Sequence, residues 1–161
     1  MLRIFGIGLI TVVVSVWGER IIVRQKARIK ALESLIRMME SFGAKARSFG
    51  TPLKSFLSEY RDELLEASGF LNSAILTMSL GTAAHESADK LCIDGEDVAL
   101  ISEFGEGLGQ YSLDEELKRC DYYVLQTKKL LETAKEKLPG ETKLLRSAGV
   151  MCGILAAVLL I

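Results

Sequence analysis

The 161-residue chain has one histidine, His85, one tryptophan, Trp17, two prolines and three cysteines. Each scarcity excludes something. A single histidine rules out two-histidine metal motifs and leaves any Ser- or Cys-based catalytic arrangement dependent on His85, which falls on a predicted helix as a surface or boundary residue. Cys92, Cys120 and Cys152 show no C-x-x-C spacing, and one lies in an apolar tail. An odd, scattered set argues against a disulfide framework or a zinc site and suits a reducing compartment. With 20 basic and 21 acidic residues there is no overall pull toward nucleic acid or an acidic substrate. Gly105-Glu106-Gly107-Leu108-Gly109 lacks the G-x-G-x-x-G spacing, no predicted strand precedes it, and G-K-[ST] is absent. No catalytic residue, metal ligand or cofactor is therefore expected, and the chain reads as a non-enzyme.

Charge is missing in two places. Residues 4–18 and residues 147–161 carry none, and the sequence between them is polar. Fifteen residues of helix reach roughly 22 Å against a hydrocarbon core of about 30 Å, so each run needs extension inward past Arg20 or Arg146, whose stems snorkel. Val16-Trp17-Gly18-Glu19 is a poor cleavage site, and Trp17 sits where an interfacial aromatic belongs. Both ends are thus expected to be uncleaved membrane helices, residues 1–23 and 144–161, flanking a helical bundle of residues 24–143. Arg20, Arg24, Lys26, Arg28 and Lys30 follow the first run, and Lys135, Lys137, Lys143 and Arg146 precede the second. The positive-inside rule puts the bundle in the cytoplasm and both termini on the far side. Gly149, Gly153 and Ala157 recur every fourth residue, a face for close helix packing within the chain or between copies. Gly8, Thr11, Ser15 and Gly18 form a comparable face.

The middle has little proline and much Ala, Leu, Glu and Lys, the composition of long helices. Ile29, Leu32, Leu35, Ile36, Met39 and Phe42 repeat at helical spacing, which carries the first helix to about Gly43. Thr51-Pro52 opens a second, with Leu53, Phe56, Leu57, Tyr60 and Leu64 on one face and Ser68-Gly69 at its end. A third spans Phe70 to Asp89, and Asp94 caps a fourth with Val98, Ile101, Phe104 and Leu108 inward. Ser112-Leu113-Asp114-Glu115 has capping-box spacing. A long helix follows it, with Leu113, Leu117, Cys120, Val124, Leu131 and Leu138 as a seam, interrupted near Thr127, until Pro139-Gly140 breaks or kinks it. The expected fold is all-α, an antiparallel bundle whose first and last helices continue toward a bilayer.

Charge segregation is the feature that points to function. Asp94, Glu96, Asp97, Glu103, Glu106, Asp114, Glu115 and Glu116 fall in a stretch without Lys or Arg. Several suit helix N-termini. Glu103, Glu106, Asp114, Glu115 and Glu116 are the candidates for a negative surface that receives a basic protein partner. Gly105, Gly107, Leu108 and Gly109 would shape the turn between them.

These residues carry a likeness. The apolar N-terminus, Thr51-Pro52-Leu53, Asp97 through Phe104-Gly105-Glu106-Gly107-Leu108-Gly109, and Arg146-Ser147-Ala148-Gly149-Val150 before a terminal apolar run together resemble the stage III sporulation protein AB family, over essentially the whole chain. Two places depart from the family pattern: Gln110 follows Leu108-Gly109 where an acid is usual, and Pro139-Gly140 interrupts a usually continuous helix. The resemblance implies a scaffold similar to the inner-membrane platform protein of type II secretion and type IV pilus machines. It also implies a place in the channel joining mother cell and forespore, in the outer forespore membrane. The partners it implies are a companion ATPase, protein AA, and other membrane subunits of the same complex. The alternative is a membrane-tethered adaptor or regulator not connected with secretion.

Overall fold

The computed structural model describes the backbone of residues 2–50, 52–106, 108 and 112–158, and the side chains of residues 19–50, 52–106, 108, 112–138, 140, 147 and 151. Seven helices follow one another and no strand occurs among the described residues: α1 Leu2–Phe49, α2 Leu53–Glu59, α3 Glu63–Ser68, α4 Phe70–Thr77, α5 Leu80–Leu91, α6 Gly95–Glu106 and α7 Leu113–Val158. The chain divides into two compact units, Met1–Lys26 with Ala134–Ile161, and Ala27–Thr133.

The second unit is a helix bundle. Its part of α1 buries Ala31, Leu35, Met38, Met39, Phe42 and Ala46, the helical-period stripe of the sequence. The stripe does not stop at Gly43. A Cβ at Gly43 would lie 3.1 Å from Cys120 Sγ, so this glycine admits α7 rather than ending α1. A chain of rings links four helices: Phe42 of α1 meets Phe56 of α2 edge-on at 5.4 Å and Phe104 of α6 at 6.4 Å, and Phe104 meets Tyr123 of α7 at 5.7 Å.

Two expected helices each prove to be two. The helix expected from Pro52 to Ser68 divides at Tyr60-Arg61-Asp62. Asp62 turns extended and its Oδ1 accepts from the amides of Leu64 and Leu65, while Arg61 donates to the carbonyls of Ser58 and Tyr60. Short polar side chains that bond neighbouring backbone compete with the helix, and here they end one and start the next. Pro52 occupies the N-cap of α2 with Leu53 the first helical residue, and Thr51 lies outside the described residues. The helix expected from Phe70 to Asp89 divides at Met78, which is left-handed at φ 53°, and Ser79, whose hydroxyl accepts from Thr82 N–H.

The seam of α7 also differs. Leu113 is 45% exposed and Val124 half-buried, whereas Cys120, Tyr123 and Thr127 are buried. Thr127 interrupts the apolar pattern without interrupting the seam, because its hydroxyl donates to Tyr123 O at 2.8 Å.

In the first unit, α7 continues through Pro139-Gly140 as one unbroken helix. Proline there forfeits one amide donor, and the flanking turns keep the register. Among the described residues no helix is long and apolar enough to cross a membrane. The side chains of the uncharged end runs, Ser147 and Met151 apart, lie outside the described residues, and those of Gly149, Gly153 and Ala157 are among them.

Candidate interaction surface

The acidic stretch does two different jobs. Asp97 opens α6 with a side chain fully removed from solvent. It takes both arms of Arg28 on α1: Nε at 2.8 Å on Oδ2 and Nη2 at 2.9 Å on Oδ1. The same Oδ2 accepts Asp94 N–H at 3.0 Å, and the Asp94 carboxylate meets Arg28 Nη1 at 2.5 Å. A planar fork matched to a carboxylate is the strong geometry for such a pair. The hydrogen bonds that Arg28 donates to Asp97 outweigh the opposing effect of burial and, with the charges of Asp97, Asp94 and Glu96, hold the Arg28 guanidinium above its ordinary pKa. Arg28, counted in the sequence among basic flanks of a membrane helix, is therefore an internal clasp. The three-residue spacing of Asp94 and Asp97 accounts for the bond to the Asp94 amide, but no local pattern points to Arg28, 69 residues away.

The remaining acids face outward. Glu96, Glu103, Glu106, Asp114 and Glu115 are exposed and Glu116 is half-buried. Their placement comes from how tightly α6 ends on α5. A Cβ at Gly105 would stand 2.8 Å from Leu80 Cβ, nearer than side chains tolerate, so glycine fits and alanine crowds. The amide of Leu108 then donates to Gly105 O at 3.3 Å, and Leu108 packs against the core. Gly107 and Gly109, expected to shape the same turn, lie outside the described residues. Ser112 opens α7: its N–H and hydroxyl both donate to Glu115 Oε2, at 3.4 and 3.1 Å, and its carbonyl accepts from Glu116 N–H at 2.9 Å. Glu115 is thus partly engaged as a cap.

One cation intrudes. Arg119 donates to Glu103 O at 3.0 Å and lies over the Tyr123 ring at 5.4 Å from its centre. It fixes α6 to α7 below the acids through a carbonyl and a ring, and the carboxylate of Glu103 makes no ion pair or hydrogen bond among the described residues.

Among the described residues no three His, Cys, Asp or Glu side chains converge as a metal site. His85 is exposed on α5. A groove of about 740 Å³ lies between α1 and α3 and is lined by both signs of charge, including Lys30, Arg37, Asp62 and Glu63. Burial pushes the Asp62 carboxyl up, but Arg37, the Leu65 amide and the Ser34 hydroxyl together hold it below the ordinary carboxylate range.

A family model for stage III sporulation protein AB matches residues 3–161. The chain belongs to the stage III sporulation protein AB family. No curated protein and no solved structure matches it. As a member of that family the chain is a sporulation-associated protein.

Proposed function

We propose that the chain is a non-enzymatic membrane platform subunit of the channel between mother cell and forespore, coupling a cytoplasmic ATPase to the membrane complex. Family membership across residues 3–161 is the observation that carries this reading. Three features support it. The uncharged end runs are flanked on their inner sides by basic residues, as anchors with a cytoplasmic middle require. In the second unit Gly105 brings the end of α6 against Leu80 of α5, a close packing that suits a defined docking surface. The exposed carboxylates of Glu103, Glu106, Asp114 and Glu115, with the half-buried Glu116, suit the steering of a basic protein surface.

On this reading both termini lie across the outer forespore membrane and the bundle stands in the mother-cell cytoplasm. The test is co-purification of the full chain, in neutral detergent, with the companion ATPase at low and moderate salt. Capture that weakens with salt and falls about tenfold on Glu103→Lys with Glu106→Lys is expected, since rim charges act through a screened field. Capture unchanged by the double reversal removes the acidic surface from the coupling. Absence of capture at any salt, with the chain still helical by circular dichroism, overturns the platform reading.

A further inference from the structure

A second groove, about 290 Å³, runs between α6 and α7. On the α6 wall Glu96 and Glu103 stand seven residues apart, roughly 10 Å along one helix face. Leu100, half-buried, lies between them, and Leu130 of α7 completes an apolar floor. Lys129 stands on the α7 wall. None of the Glu96, Glu103 and Lys129 side chains has an ion pair or hydrogen bond among the described residues, although all three line one groove. Elsewhere in this bundle opposite charges within reach do pair, as Lys45 with Glu59 and Lys128 with Glu40 at 2.8 and 2.6 Å.

We infer that this groove is a docking site for a basic amphipathic helix of a partner protein. Such a helix brings two basic side chains seven residues apart onto Glu96 and Glu103, and apolar side chains between them onto Leu100 and Leu130. Two turns of one helix match two turns of the other, so a single apolar stripe flanked by two cations satisfies the whole α6 wall. Lys129 on the opposite wall makes the groove asymmetric: it accepts an acidic residue on the far edge of the incoming helix and rejects a basic one, which sets the helix's rotation. The inference deepens the platform reading and rests on it only in taking the partner to be a soluble protein. Glu96 belongs to the groove and not to the turn around Glu106, so the two readings fail separately.

The test uses the full chain in micelles of a neutral detergent and a fluorescent, helix-stabilised peptide with two arginines seven residues apart and leucines between them. Its control carries glutamates in place of the arginines. Saturable binding of the first and none of the second is expected. Glu96→Gln and Glu103→Gln each weaken binding about threefold and together about tenfold, the scale of partly exposed ion pairs. Lys129→Gln weakens binding only of a peptide with an acid on its far edge. No binding, or binding unmoved by the double neutralisation, overturns the inference. So does self-association of the chain that disappears in the same double variant, which would give the groove to a second copy. ATPase capture retained by Glu96→Gln but lost on Glu106→Lys would leave the platform role standing and the groove without part in it.

Discussion

Asp97 is the residue on which α6 depends most directly. A carboxylate removed from water is tolerated because Arg28 meets it with two donors and the Asp94 amide adds a third. Such a pair adds little over a well-packed apolar one, but removing a single partner strands the other. Asp97→Ala is therefore expected to cost about 3 kcal/mol, the scale for breaking a buried pair, measured as a shift in the urea unfolding free energy. Arg28→Met combined with Asp97→Ala should cost clearly less than the sum of the single changes, because the double variant buries no lone charge. Equal, additive losses would show that the two side chains act independently. Lys45 and Glu59 make the contrast. The Lys45 hydrogen bond and charge lower the Glu59 pKa, yet both groups sit in solvent, and such exposed pairs contribute little to stability.

Among the elements, α3 is the smallest and depends on its cap. Asp62 supplies the N-cap acceptor and also accepts from Arg37 at 3.1 Å. Its folded pKa lies below the ordinary carboxylate value, so the charged form is the one the fold favours. The stability it contributes is complete above the unfolded-state pKa and is lost as pH falls through the folded one. Wild-type protein should thus lose more stability than Asp62→Asn between pH 7 and pH 3 in urea titrations, with Asp62→Asn costing about 1 kcal/mol or less at pH 7, since asparagine still caps. Parallel acid losses in the two proteins would assign the pH sensitivity elsewhere. Such caps also explain what the sequence leaves legible. The stripe from Ile29 through Phe42 and the glycine stop at Gly69 can be read directly, because periodicity and a left-handed corner are local. The breaks at Asp62 and Ser79 are carried by single polar side chains inside otherwise helical patterns. Gly43 reads as a stop and acts as a contact point because its role depends on Cys120, 77 positions away. At the candidate site, the outward acids are visible as a run without lysine or arginine. That Asp97 leaves this set for Arg28 is a tertiary fact.

For the whole molecule, Cys120 reports whether the bundle is closed. Burial pushes its thiol up to about 11, and it donates to Met39 O from the seam of α7. At pH 8 it is a thiol in the fold, and the thiolate is the nucleophile. Alkylation with iodoacetamide should therefore reach the less buried Cys92 first, with Cys120 modified only as fast as the bundle opens, read by mass spectrometry of the peptides. Cys120 modified at the pace of Cys92 would mean that the α1–α7 contact opens freely. That contact has a consequence in time. The partners of the α1 stripe come late in the chain: Cys120 bonds to Met39 across 81 residues and Thr127 across 88. At roughly 5–20 residues made per second, the apolar face of α1 leaves the ribosome on the order of ten seconds before α7 is there to cover it. During synthesis, the first helix made waits for the last.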